Sequence, residues 1–373
     1  MLVCFLFREE PYFSISVSDS PYMVFYPAQA FGNNTFTRYS FFMESEAVGF
    51  MPGFLGSFEQ INGEITFFNM QYIQKIIFWF ISGIIYEVIL KGDTNTGTEI
   101  TFPWSDLHAV GDSLTNLELN FLNGLDQLPT DHFVPFTALG SLELTENGFT
   151  TFDFVLPQNL QHLVFFESEV IHFDMGLLST CSETIVTFGM ANKTDNMQEI
   201  SMPEDLILPN LEDFSYIGGC ESISSPQFRI DFVRQTPNLL LLIIGGVVMT
   251  EVPGYVKDMS NLEDLRLSCG EIPEFQLVDI CPGTNMMTGI QANRLTTISG
   301  DNLFLPDASK FCKVSLNANY ISEIADDAFG PLLTQPGGYL PLLISQTTDS
   351  PHLMKALSDI SLISAITNIL MKR

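Results

Sequence analysis

A solenoid is the fold class that this sequence predicts: short parallel strands stacked into one curved sheet, with irregular segments on the outside. Three observations predict it. First, a pattern of the form L-x-x-L-x-L-x-x-N-x-L recurs. Its fullest copy is Leu139, Leu142, Leu144, Asn147, Phe149, and a second is Phe311, Val314, Leu316, Asn319, Ile321. A third is Leu262, Leu265, Leu267, Gly270, Ile272, with glycine in the asparagine slot. Second, the copies from Leu117 onward are spaced 21 to 28 residues apart, about one structural coil each. Third, the chain holds 33 phenylalanines, enough for a column of rings filling the convex side.

The physics of one coil follows from the pattern. In L-x-L the leucines alternate with period two, so a short strand turns both inward. The asparagine at the turn can hydrogen-bond backbone groups of neighbouring coils that would otherwise be buried without partners. Proline after the turn, as in Leu128-Pro129, Leu156-Pro157 and Val252-Pro253, ends the strand and starts an irregular arc. Ala30-Phe31 and Ala328-Phe329 suit apolar plugs on the convex side. This pattern is identified as the leucine-rich repeat signature. It implies an α/β-type leucine-rich repeat solenoid, with a curved parallel sheet on the concave face and an irregular convex side.

Anchoring each coil on the middle residue of L-x-x-L gives Tyr39, Ile65, Val88, Leu117, Leu142, Leu163, Val186, Phe214, Leu242, Leu265, Thr288 and Val314. A degenerate unit at Phe13, Ile15 and Val17 precedes them. The reading is one elongated repeat domain over 13–340 of about twelve or thirteen units, because each repeat touches only its neighbours. An N-terminal segment, 1–12, and a C-terminal non-repeat segment, 341–373, flank it. The latter reads as an amphipathic helix from Leu353 to Met371. Its departure from the repeat raises the question of whether that end is authentic.

The formal net charge is −29, from 44 acidic and 15 basic residues. Such a chain repels nucleic acid and anionic membranes and favours basic partners. A plainer reading has the acids merely solvating the convex turns. Six cysteines (Cys4, Cys181, Cys220, Cys269, Cys281, Cys312) include no C-x-x-C, which argues against structural zinc. Cys281 with Cys312 and Cys181 with Cys220 are the disulfides to test; free buried thiols are the alternative. Two glycosylation sequons begin at Asn33 and Asn192. Met1 to Phe7 is too short an apolar run for a signal peptide. Either the protein is not secreted or its start lies upstream.

The apolar stretch Ile76–Leu90 is short of the ~20 residues that span a bilayer. The preferred reading is a repeat strand at Ile85, Val88 and Leu90; a membrane helix and a gene-model artefact are the alternatives. The sheet needs caps at its edges. No cysteine follows Cys312, so a cysteine-bearing C-terminal cap is not expected, and the C-terminal helix is the substitute.

A narrower likeness is visible in Ala30-Phe31-Gly32-Asn33-Asn34-Thr35-Phe36-Thr37, Pro52-Gly53-Phe54-Leu55, Leu316-Asn317-Ala318-Asn319-Tyr320-Ile321 and Asp327-Ala328-Phe329-Gly330-Pro331-Leu332. Over roughly 13–340 the chain resembles the arthropod family of the non-catalytic subunit of Oplophorus-type luciferin 2-monooxygenase. The resemblance implies a secreted, non-enzymatic protein that associates with or stabilises a partner. The chain departs from that family in lacking a signal peptide and a cysteine cap.

Catalytic patterns are missing from the sequence. The five histidines (His108, His132, His162, His172, His352) form no H-E-x-x-H, and there is no G-x-S-x-G elbow, phosphate loop or EF-hand. Neither a cofactor nor a metal is expected. The expected role is binding. In x-L-x-L-x the x residues face the concave surface, and there Val164, Phe166, Ile217, Leu241 and Ile243 form an apolar centre bordered by Glu118, Glu143, Asp213 and Asp264. An apolar centre with a polar rim is how protein interfaces are built. The expectation is thus an extracellular scaffold with a protein partner on its concave face. An intracellular adaptor in the cytoplasm is the alternative; a membrane-tethered receptor and an enzyme rank below it.

Overall fold

The computed structural model describes residues 107–108, 110–121, 130–166, 170–192, 197–218, 226–283, 286–304, 312–328 and 330 with their side chains. It describes Glu87, Val88 and Ile89 likewise, and the backbone of further strands named below. The chain forms two compact units: the first runs to Gly218 and takes in Pro226–Asn238, and the second includes everything from Leu239.

The first unit is built on one sheet, in spatial order β1 Leu2–Leu6, β2 Tyr12–Ser18, β3 Arg38–Glu44, β4 Ile61–Phe68, β5 Gly83–Lys91, β6 Asn116–Asn120, β7 Ser141–Thr145, β8 His162–Ser168, β9 Thr187–Asn192 and β10 Asp213–Ile217. Every pair from β2 onward is parallel, because each coil returns to the same side before the next strand begins. β1 is the exception. It lies antiparallel on β2, with Leu6 opposite Phe13, so the segment preceding the repeats occupies the edge of β2.

The anchors align in register: Phe13, Tyr39, Ile65, Val88, Leu117, Leu142 and Leu163 pair in series. The apolar stretch that ends at Leu90 contains β5, a repeat strand whose Val88 is fully buried. No helix among the described residues is long and apolar enough to cross a membrane. One anchor is corrected. Leu163 pairs with Phe188, not Val186, and Phe188 pairs with Phe214. A slip of two residues keeps the same face, so alternation alone could not expose it. The β8–β9 register shifts only beyond that pair, between Phe165 and Ser168.

Burial corrects the second sequon. Asn192 is 5% exposed, and its amide donates to the Val170 carbonyl at 2.9 Å. A glycan on that nitrogen needs this buried contact broken, so the folded position does not suit one. Asn33, Cys4's side chain, Cys220, residues 76–82, Phe329 and the C-terminal segment with its predicted helix lie outside the described residues.

Behind the sheet runs the expected column of rings. Phe133, Phe154, Phe149, Phe152, Phe165, Phe173, Phe188, Phe214 and Phe232 touch in succession, with centroids 4.0 to 6.0 Å apart. The column links successive coils. Short parallel strands His172–Asp174, Glu199–Ser201 and Gln227–Arg229 form a second small sheet in this unit.

The second unit has the parallel strands β11 Leu241–Gly245, β12 Asp264–Ser268, β13 Asn285–Gln291 and β14 Phe311–Ser315. Leu242, Leu265, Thr288 and Val314 line up as predicted. Thr288 is a polar residue in a leucine slot. Its hydroxyl donates to the Ile280 carbonyl at 3.1 Å, which satisfies it at 2% exposure.

The asparagines do what the motif requires. Asn147 donates to the Leu119 carbonyl of the preceding coil. Asn293 donates to Leu267 and Gln291 carbonyls at 2.9 Å each, and its oxygen accepts from the Ile272 amide at 3.3 Å. Asn319 donates to Ile290 at 2.6 Å and accepts from the Asn293 and Leu295 amides. The residue before each slot is left-handed: Glu146 (φ 52°), Cys269 (φ 56°), Ala292 (φ 51°) and Ala318 (φ 57°). Such values are rare outside glycine. They recur because the strand turns sharply at the end of each of these coils, whether asparagine or glycine follows. Repeat, register and asparagine bonds together make each unit a run of leucine-rich repeat coils.

Cys281 and Cys312 form a disulfide across 31 residues, with Cα atoms 6.2 Å apart. Cys269 is disulfide-bonded too. The expected Cys181–Cys220 bridge is not made: Cys181 is a buried free thiol, 1% exposed. Burial pushes that thiol up to about 11, so it stays protonated and inert at neutral pH.

Candidate protein-binding face

The leucines turn inward, so the alternate residues of each strand form the opposite, open face of the sheet. In the first unit the register arranges them in rows. One row runs Asn116, Ser141, His162, Thr187, Asp213. The middle row runs Glu118, Glu143, Val164, Gly189, Ser215. The third begins Asn120, Thr145, Phe166, and Ile217 pairs with Ala191.

Burial follows the alternation except at Asn120 and Gly189, which are buried. In β7 the leucines are buried while Ser141, Glu143 and Thr145 are partly exposed. Val164 and Phe166 are also partly exposed, and Ile217 is 43% exposed. Thus Val164, Phe166 and Ile217 share the open face of the first unit with Glu118, Glu143 and Asp213. Glu118 and Glu143 stand in direct register on adjacent strands. The Glu143 carboxylate accepts from Thr145 Oγ1 at 3.2 Å and Asn120 Nδ2 at 3.4 Å. Asn120 Oδ1 in turn accepts from the Thr145 amide at 3.2 Å. Asp213 accepts from Thr187 Oγ1 at 3.5 Å. Asn116 donates to Glu87 on β5, extending the polar side of this face.

In the second unit Leu241 and Ile243 lie on β11, opposite Asp264 and Arg266 of β12. Both apolar residues are partly exposed. Asp264 differs from the free acidic border that the sequence suggested. Arg266 clasps it with two contacts, Nε to Oδ1 at 3.1 Å and Nη2 to Oδ2 at 2.7 Å. This hydrogen bonding holds the guanidinium pKa above its ordinary value and offsets the local negative charge. Met287, in register with Asp264 and 49% exposed, belongs to the same face.

Sequence reasoning missed two positions here. Met287 hides in a weak repeat whose anchor is a threonine. Gly189 carries no side chain and so gives the alternation no signal. A Cβ at Gly189 would meet Ser215 Oγ at 3.2 Å and the Val164 methyls at 3.6 and 3.8 Å. Glycine therefore lets Val164 and Ser215 close over a buried position in the middle row.

A separate cleft of about 550 Å³ lies along the small sheet, lined by Asp174, Glu199, Glu204, Arg229, Asp231 and Arg234 among others. Its arginines are already committed: Arg229 pairs with Glu199 at 3.1 Å and Arg234 with Asp231 at 3.2 Å. Among the described residues no group of three or more His, Cys, Asp or Glu side chains could hold a metal ion.

No protein-family model matches the chain, and no curated protein does. Among solved structures it is similar to a leucine-rich repeat protein of Leptospira interrogans, at 16% identity and a TM-score of 0.44, over 82% of this chain and 78% of that one. It is similar also to the structure of the Toll–Spatzle complex of Drosophila, at 14% identity and a TM-score of 0.45. That match covers 93% of this chain but only 52% of the other, so the chain spans about half the length of that protein.

Proposed function

We propose that this chain is a non-catalytic scaffold that works outside the cell and takes a protein partner on the open face of its sheet. The observation that carries the reading is Phe166. It is a large ring that alternation turns away from the ring column, and it stays partly exposed beside Val164 with Ile217 on the same face. Apolar side chains grouped on one face mark contact sites. Glu118, Glu143 and Asp213 supply a polar border in the first unit. Leu241 and Ile243, joined by Met287, supply a second apolar group beside the Asp264–Arg266 pair.

The Cys281–Cys312 disulfide supports an extracellular setting, since the cytosol keeps thiols reduced. It weighs against the cytoplasmic adaptor. An acidic chain of this kind favours a protein partner over nucleic acid. The words around 30–37 and 316–332 support kinship with the non-catalytic luciferin-monooxygenase subunits, and with it the role of partner to a secreted enzyme. Asn33 remains the glycosylation position of this reading.

The test is substitution on the face. Once a partner has been cross-linked and identified, Phe166→Ser and Ile243→Ser should each weaken its affinity about tenfold or more, as loss of an apolar anchor does. The melting temperature should hold. Unchanged affinity together with unchanged stability would sink the proposal.

A further inference from the structure

We infer that the open face of the second unit takes an aromatic residue with an acidic neighbour: the ring lies on the Arg266 guanidinium beside Met287, and the carboxylate pairs with Lys313. This rests on the binding face proposed above and adds the chemistry of its occupant in that unit.

Arg266 is the first ground. Its strand neighbours Leu265 and Leu267 are buried, so its side chain stands on the open face, 52% exposed. Asp264 holds Nε and Nη2, which fixes one edge of the guanidinium. The flat face takes no part in those bonds. An aromatic ring laid on it keeps both hydrogen bonds and adds a cation–π attraction. Apolar side chains flank the place. Ile243 is in register with Arg266 on β11, and Met287 lies diagonally from it on β13, paired with Asp264. Methionine sulfur packs favourably against the edge of a ring.

Charge is the second ground. Among the described residues, the charged open-face positions of β11 to β14 are Asp264, Arg266 and Lys313. Arg266 offsets Asp264, so the face keeps the charge of Lys313. Lys313 stands in register with Met287, and its ammonium forms no ion pair among the described residues. The first unit is the reverse: its described open-face strand positions include Glu118, Glu143 and Asp213 and not one Lys or Arg. At physiological salt, fields between exposed charges fade over about 8 Å. A contact on β11 to β14 therefore answers to Lys313 more than to the net charge of −29. A long polyanion such as nucleic acid meets that net charge, whereas a short segment with one carboxylate does not. Two strand spacings and a rise of two residues put the backbones of Arg266 and Lys313 roughly 12 Å apart. Alternate side chains of an extended peptide repeat at about 7 Å, and the lysine stem covers the remainder.

The test selects peptides of about twelve residues from a randomised display library on the full chain, after depletion on a Met287→Ser, Lys313→Gln variant. Survivors should carry Phe, Tyr or Trp with an Asp or Glu within two residues. Arg266→Lys keeps the charge and removes the flat face, and should weaken them about fourfold. Lys313→Gln should weaken them about threefold at low salt and less at high salt. Both open-face variants should melt with the parent chain, which separates lost binding from lost folding. Survivors that are basic or lack an aromatic residue overturn the inference. So do survivors that hold Arg266→Lys and Lys313→Gln as tightly as the parent. Survivors of another composition that Ile243→Ser releases overturn it while leaving the binding face standing. An absence of survivors overturns it as well, and removes the binding face too if a cross-linked partner tolerates Phe166→Ser and Ile243→Ser.

Discussion

Asn293 occupies the space that a side chain at position 270 would need: a Cβ on Gly270 would stand 2.7 Å from Asn293 Oδ1. The glycine in the asparagine slot of the Leu265 coil is therefore a fitted part. Asn293 lies against it and holds the Leu267 and Gln291 carbonyls and the Ile272 amide. Gly270→Ala should destabilise the second unit by about 2 kcal/mol, because Asn293 must give up buried bonds to make room. Restoring the motif asparagine, Gly270→Asn, should be at least as costly. Urea unfolding measures both; a neutral result contradicts the packing described.

The left-handed residues give a prediction of opposite sign. Ala292 and Ala318 hold left-handed φ of 51° and 57° without the freedom of glycine. Left-handed backbone costs an ordinary residue about 1–2 kcal/mol, and glycine returns part of that gain as unfolded-state entropy. Ala318→Gly should raise stability by about 0.5–1 kcal/mol, the remainder of those two effects. A lower midpoint in denaturant would mean that the alanine methyl contributes packing that outweighs its strain.

Much of this architecture was legible in the sequence. Leu142, Leu265 and Val314 announce their coils, and the asparagines at 147 and 319 act as the motif requires. Val186 and Phe188 both keep the alternation, and only the pairing with Leu163 separates them. Asn192 reads as a sequon from its own three residues, and nothing local tells that its amide is buried against Val170. Cysteine pairing was half legible: spacing suggested Cys281–Cys312, but nothing local told that Cys181 would be enclosed alone.

The disulfide is expected to matter. It closes a loop of 31 residues, and chain-entropy reasoning gives about 3–4 kcal/mol for such a loop. Replacing Cys281 and Cys312 together by serine should lower stability of the second unit by that order. The ring column of the first unit should be left intact. Differential scanning calorimetry of the pair variant checks both parts; an unaltered profile would show the bridge to be dispensable.

Acid should loosen the first unit through His132. The ring is 5% exposed, packs near His108 at 5.1 Å, and neighbours Phe133. Burial chiefly, with the His108 charge adding, lowers its pKa from 6.5 to about 4, against a smaller upward pull from Asp131. The folded state thus favours neutral His132. That stability is fully present above pH 6.5, is lost as pH falls from 6.5 towards 4, and levels off below. The size is on the order of 3 kcal/mol, at about 1.36 kcal/mol per unit. His132→Phe should flatten this part of the pH–stability curve; a slope that survives the substitution assigns the effect to other groups.

The most direct measurement places a photo-cross-linking residue at position 166 on the open face and, separately, at position 207. Ile207 is 45% exposed but lies outside the sheet strands. Native secretions or extracellular fluid supply the partner. The account predicts a specific adduct from position 166, competed by unlabelled chain, and none from position 207. An adduct from 207 alone, or equal labelling at both, would contradict a partner held on the open face.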